Sequence, residues 1–375
     1  MCRPQFQSFS QYRGKLSQKS AEEIEALRCA GSAWDALAVL TLLRSLVTAS
    51  CVEATLAAER TGEAGATFSA HEGYDPHSSN VLRVLGYFSL IGLARVHGLL
   101  GDHDGCLRAL DAVELDKPGL FTKVPGAHVT TLYYVGFAYL SSRRYTDAIR
   151  SFNAALVYIS RHKGAHGRSP GYEQIQKKAD QMFALLALSI ALCPAHKLLD
   201  EGVKASLQAT YTDKMVKMAG GDEAVYDELW SFACPKFVTA APPDWGDVGG
   251  AHSQEAYRTR LRLFLAEARA ASLLPLLRSF LQLYTTIPVA KLAALMDADE
   301  AGMRALLASC KRQATVLEWR GGDSATNGVW VPTGDTDWFV DGDMVHVVNS
   351  KPQQNVVSIL VTAIERQREL QAMLA

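Results

Sequence analysis

Gly167-Arg168-Ser169-Pro170-Gly171 matches the serine-hydrolase string G-x-S-x-G in a chain of 375 residues. Such a serine becomes a nucleophile when a strand leads into it, a helix leaves it, and the next residue's N–H helps hold the oxyanion. Helical text and a basic loop precede Ser169, and Pro170 has no N–H to give. The string is therefore read as a loop. Ser160-Arg161-His162-Lys163 fits S-x-x-K, but its partner motifs Ser-Asp-Asn and Lys-Thr-Gly are missing. The glycine-rich run from Gly321 to Gly328 has no Gly-Lys-Ser/Thr, so it reads as a wing turn and not as a phosphate loop. His162 and His166 stand at i, i+4, yet Gly164 lies between them and no nearby carboxylate completes a ligand set. Asp335, Asp337, Asp341 and Asp343 lack the spacing of a calcium loop and read as strand-end turns. No residue is assigned a catalytic, cofactor-binding or metal-ligating role. The expectation is a protein that is not an enzyme and takes no small-molecule substrate.

Binding is the better prospect. Between Ser141 and Asp180, eight cations (Arg143, Arg144, Arg150, Arg161, Lys163, Arg168, Lys177, Lys178) stand against Asp147, Glu173 and Asp180. Arg161, Lys163 and Arg168, on and beside a glycine-containing loop, are the candidate contact for RNA or an acidic partner. Trp319, Trp330 and Trp338 crowd one β-prone ribbon. They serve either as its small core or as anchors for another protein, since aromatics bury much area and are enriched at interfaces. An apolar stripe near the C-terminus, including Val356, Leu360, Ile364 and Leu370, suits a helix that packs in a bundle of several chains.

The elements that would position these residues follow from periodicity. With 48% apolar and 21% charged residues and a net charge of −1, the chain is neither disordered nor a wholly basic nucleic-acid binder. Seven scattered cysteines, none in a Cys-x-x-Cys pair, point to a reducing compartment. The longest strongly apolar stretch, Met182 to Cys193, is too short to span a membrane and ends at Pro194; the cytoplasm is the expected location. The first 235 residues read as helix after helix. Stripes such as Ala36, Leu40, Leu43 and Val47 alternate with breaks marked by Pro76, Pro118, Pro125, Pro170, Pro194 and Pro235.

From Leu132, Gly136, Tyr139, Ala148, Phe152 and Ala155 fall at the offsets of a tetratricopeptide-like helical hairpin. A weaker copy carries Cys106, Leu110 and Val113. Residues 240–252 form a proline- and glycine-rich linker. A helix follows, ended or kinked at Leu274 by Pro275. Then come a further helix, Val289 to Met296, and a helix capped by Asp297 or Asp299. The short β-prone runs VLEWR, VWV, DWFV and MVHVV follow. Helix, helix, ribbon is the order of a winged helix. Its stretch from Met296 to Val345 holds nine carboxylates against four cations, the wrong sign for a phosphate backbone. The predicted fold is mainly α: hairpin repeats over 1–240, the end of the stack plus a winged helix over 253–350, and a closing helix over 353–375.

This order resembles that of PCI domains, which occur in scaffold subunits of the proteasome lid, the signalosome and a translation initiation complex. The stretches FQSFSQYRGKL, LGYFSLIGLARVHGLLGD, LYYVGFAYLSSRRYTDAIRSF, DELWSFACPKF and LRSFLQLYTTIPVAKLA resemble, in order, the L-subunit family of eukaryotic translation initiation factor 3. The resemblance runs from near Phe6 to the terminal helix. It implies a non-catalytic scaffold that joins neighbouring PCI subunits, contacts the K and E subunits and supports recruitment to the small ribosomal subunit. It makes ribosomal RNA the candidate partner of the basic hairpin. It also implies a further helical region before Phe6, whose contacts are not transferred. A lid or signalosome scaffold and a direct RNA-binding module are the alternatives.

Overall fold

Helices form wherever apolar residues recur at three- and four-residue spacing. The computed structural model describes residues 2–31, 33–62, 68, 80–166, 172–193, 196–246, 252–321, 324–349, 364 and 366–367. In chain order these are α1 (Cys2–Arg13), α2 (Ala21–Cys29), α3 (Ala36–Ser50), α4 (Val52–Thr61), α5 (Val81–Leu100), α6 (His103–Arg108), α7 (Pro125–Ser141), α8 (Tyr145–His166), α9 (Tyr172–Leu192), α10 (Glu201–Ala219), α11 (Glu223–Ala233) and α12 (His252–Leu281). Then follow β1 (Thr286–Pro288), α13 (Val289–Leu295), α14 (Glu300–Gln313), β2 (Thr315–Glu318), β3 (Val329–Pro332), β4 (Thr336–Asp341) and β5 (Met344–Asn349). The fold is mainly α, with helical hairpins followed by a small antiparallel sheet in a winged helix. Among the described residues no single helix is long and apolar enough to cross a membrane.

Side-chain caps set many helix starts. Asp35, Asp102, Asp200, Asp222 and Asp299 accept from first-turn N–H groups of α3, α6, α10, α11 and α14. Of the two candidates before α14, Asp299 is the cap; Asp297 instead takes a left-handed turn with φ 52°.

The chain divides into two compact units. The first holds Met1–Ser272 and Val316–Val331; the second holds Leu273–Thr315 and Pro332–Ala375. In the first unit α3 pairs with α5, α7 with α8, α8 with α9, and α9 with α10 and α11. Helix α9 lies at the centre. Ala184, Leu185, Leu186, Ala187 and Leu188 are all fully buried, so the middle of the apolar run Met182–Cys193 is a core helix covered on every side. Tyr133 of α7, also buried, donates its hydroxyl to the Ala233 carbonyl at 2.7 Å and so ties α7 to the end of α11.

The second unit is the winged helix. Its sheet has the order β1-β5-β4, with Ile287 opposite Val345 and Trp338 opposite Val347, all antiparallel. Leu277, Leu281, Ile287, Val289, Leu292, Met303, Cys310, Trp338 and Val345 make its core. Helix α12 is continuous through Pro275, where the sequence predicts an end or kink. Leu274, Leu277 and Leu281 are buried on one face of this stretch, and that burial offsets the hydrogen bond the proline cannot make.

The β-prone runs do not form one ribbon. Among the described residues, strands β2 and β3 pair only with each other, and Val316–Val331 belongs to the first unit. The described residues of the glycine-rich run, 321 and 324–328, therefore belong with this separate hairpin and not with the winged helix. The tight turn of the winged helix lies at Asp341–Asp343 between β4 and β5, where Gly342 takes φ 55°.

Candidate protein-interaction site

Helices α7 and α8 pack as the small residues in the sequence require. A Cβ at Gly136 would stand 2.5 Å from Cε1 of Phe152, so only glycine lets the two helices come this close. Ala148, Phe152 and Ala155 are fully buried against it. The weaker upstream copy has only a short second helix, α6, yet Cys106, Leu110 and Val113 are buried as the match predicts.

The turn of this hairpin carries a polar cluster that sequence reading missed. Arg144 and Asp147 are 3% and 4% exposed and pair at 2.8 Å. Burial pushes the Asp147 carboxyl above the usual aspartate range, against the pull of the Trp319 N–H, Arg144 and Arg150. The Arg144 guanidinium lies 4.7 Å from the centre of the Tyr139 ring. It also donates to the main-chain carbonyls of Ala325, Thr326 and Asn327 at 2.7, 3.1 and 3.0 Å. Asp147 accepts the Trp319 N–H at 3.0 and 3.2 Å. Arg150 bonds Glu318, and Asp111 accepts from Ser324 Oγ and the Ala325 N–H. Residues 318–319 and 324–327 are thus strapped to the hairpin by charge-assisted bonds.

This arrangement changes the reading of the basic surplus. Arg144 and Arg150 are engaged in the strap, and Arg143 pairs with Glu267 at 2.7 Å. Lys178 lies 3.5 Å from the centre of the Tyr133 ring, and burial, with nearby Arg95, lowers its pKa to about 8. Of the candidate RNA contacts, Arg161 is exposed near the end of α8, Lys163 lies on the same helix, and Arg168 falls outside the described residues. The G-x-S-x-G string also lies outside them, between α8 and α9; the element before it is a helix where a nucleophile elbow needs a strand. His162 Nδ1 contacts the Tyr158 carbonyl at 2.9 Å. Among the described residues no three His, Cys, Asp or Glu side chains gather as a metal-holding group.

The three tryptophans are separated by the fold. Trp338 is buried in the core of the winged helix, with Lys311 over its ring. Trp319, within the strap, is half-buried. Trp330, on β3, is 68% exposed beside Val329 at 53%. Two apolar side chains thus face solvent on a strand whose one partner among the described residues is β2. In the winged helix, Phe339 and Val340 on β4 and Val348 on β5 are exposed, with Phe339 stacked on His346. Ile364 is helical and exposed, while Val356, Leu360 and Leu370 lie outside the described residues. Geometrically, the surface offers apolar strand residues for other proteins to cover and a sheet edge for pairing.

Residues 4–367 match the family model described as RNA polymerase I-associated factor PAF67. Curated relatives named eukaryotic translation initiation factor 3 subunit L include those of Nematostella vectensis, 39% identical, and Xenopus tropicalis, 41% identical, each over 98% of this chain. The Homo sapiens protein of that name is 40% identical over the same share. The chain spans 70% of the Nematostella protein and 64% of the Xenopus and human ones.

Proposed function

The chain belongs to the family of eukaryotic translation initiation factor 3 subunit L, the family described as RNA polymerase I-associated factor PAF67, and from this we propose that it is a component of that initiation complex. In this reading it is a non-catalytic scaffold of the cytoplasm. It joins neighbouring PCI subunits, with K and E as its direct neighbours, and supports recruitment to the small ribosomal subunit. The observation that carries the reading is the apolar surface left by a helical-hairpin unit and a winged helix, above all Trp330 and Val329 on β3. Residues of this kind act as interface anchors when a partner removes them from water. Arg161, Lys163 and Arg168 are the proposed contact with ribosomal RNA, and Val356, Leu360, Ile364 and Leu370 the proposed bundle contact.

The experiment is affinity purification of the tagged chain from cells at moderate salt, read by mass spectrometry and a sucrose gradient. Initiation factor 3 subunits travelling with small ribosomal subunits are the expected result. Recovery of lid or signalosome subunits would move the scaffold to another assembly, and recovery of RNA alone would replace it with an RNA-binding module.

A further inference from the structure

Three cations of the first unit gather without a counter-ion. Arg95 stands on α5 and Lys178 on α9, both half-buried, and Lys236 follows α11 and is exposed. The Val238 N–H donates to the Leu99 carbonyl at 2.9 Å, which lays the chain after Lys236 against α5, one turn beyond Arg95. Lys178 Nζ lies 3.5 Å from the centre of the Tyr133 ring. The Tyr134 ring stands 5.2 Å from that of Tyr133, and its hydroxyl accepts from Arg95.

The other acceptors are neutral too. Arg95 Nη2 donates to Gln7 Oε1 at 3.1 Å, and Lys178 Nζ donates to Gln181 Oε1 at 2.8 Å. Among the described residues no carboxylate bonds any of the three cations. The nearby Cys234 thiol adds no charge, because burial pushes its pKa up to about 12. Burial, then Arg95 and Lys236, hold the Lys178 pKa down. Elsewhere in this unit cations close ion pairs, Arg143 with Glu267, Arg144 with Asp147 and Arg269 with Glu223. Positive charge held half out of water with nothing opposite it costs free energy that a bound anion recovers.

The surroundings select the source of that anion. Gln181 Nε2 donates to the Phe232 carbonyl at 3.3 Å, and the Phe232 side chain is 52% exposed. Glu228 stands one turn before Phe232 on α11, Asp180 stands beside Gln181 on α9, and both act on Tyr211. A sugar–phosphate backbone passing from the cations over Phe232 would meet these two carboxylates. A polypeptide need bring only one negative charge, with an apolar residue beside it.

We propose that Arg95, Lys178 and Lys236 receive an aspartate or glutamate side chain of a partner protein, while an apolar neighbour of that residue rests on Phe232. Charge-assisted bonds fix the carboxylate, and the aromatic ring supplies area to bury. This rests on the reading of the chain as a protein scaffold. The test uses the isolated chain, so it can fail while that reading stands.

The lysines of the full chain are converted to ¹³C-dimethyl-lysines, which keep their charge. The Lys178 signal, assigned with Lys178→Arg, is followed at low salt as Nα-acetyl-glutamate N-methylamide is added. The neutral glutamine analogue and a decauridylate are run beside it. The glutamate probe should move the signal saturably, and the other two should leave it in place. Lys236→Gln, an exposed substitution that keeps the fold, should weaken the glutamate probe by up to about fivefold, the worth of one partly exposed ion pair. A signal that stays still, an equal response to the glutamine analogue, or an unchanged affinity in Lys236→Gln overturns the proposal. A signal moved by decauridylate gives the site to RNA and overturns it as well.

Discussion

Arg144 and Asp147 concentrate the polar stakes of the molecule in one turn. A buried pair is weak evidence of net stability, but removing one partner leaves a charge with nothing to offset its burial. Arg144→Met should therefore lower stability by about 3–5 kcal/mol in urea unfolding. The double variant Arg144→Met/Asp147→Leu should recover part of that loss, since the orphan charge is then gone. A second residue sets an acid limit. His103 packs against Phe137, and burial together with nearby Arg260 lowers its pKa from 6.5 to about 4 despite Asp102. The folded state then binds fewer protons than the unfolded one. Its contribution is complete above pH 6.5 and is lost as pH falls toward 4. Between those limits the wild type should lose up to about 3 kcal/mol more than His103→Gln, measured as unfolding free energy against pH. Neither role was legible in the sequence. Arg144 read as one cation in a basic run, because its three carbonyl partners lie about 180 positions away.

The hairpin α7–α8 was legible, because its information is local. Gly136, Ala148 and Phe152 are spaced so that small meets large within one turn-connected pair, and the structure brings them together. Gly136→Ala should cost about 1–3 kcal/mol through overpacking against Phe152, although alanine is the better helix former. Gly126→Ala in the same helix meets nothing within 4 Å and should be neutral or slightly stabilising, so urea midpoints of the two variants should move in different directions. The β region was legible as strands but not as two sheets. VLEWR and VWV have the same β-prone character as DWFV and MVHVV. What separates them is the anchoring of residues 319 and 324–327 by Arg144, Asp147 and Asp111, a long-range fact with no local signal. Proline 275 misled for a similar reason, since burial of Leu274, Leu277 and Leu281 outweighs the broken hydrogen bond.

For the whole molecule, the distinction that matters is between tryptophans that hold the chain together and one that faces outward. Trp338→Ala should destabilise the winged helix by about 3–5 kcal/mol, because it empties a fully buried site. Trp330→Glu should leave the unfolding midpoint of the purified chain nearly unchanged, as exposed substitutions do, and yet reduce the other subunits recovered with it. Equal recovery would move the proposed interface away from β3. The sequence places all three tryptophans in one ribbon, so it does not separate these roles. The strap has one more consequence. Arg144 grips Ala325, Thr326 and Asn327 by their carbonyl oxygens, and Asp147 grips Trp319 by its N–H. Nearly any residue carries the same peptide group. One end of each contact is thus indifferent to substitution while the other end has almost no latitude, so among related chains the gripped positions should drift freely as Arg144 and Asp147 stay fixed.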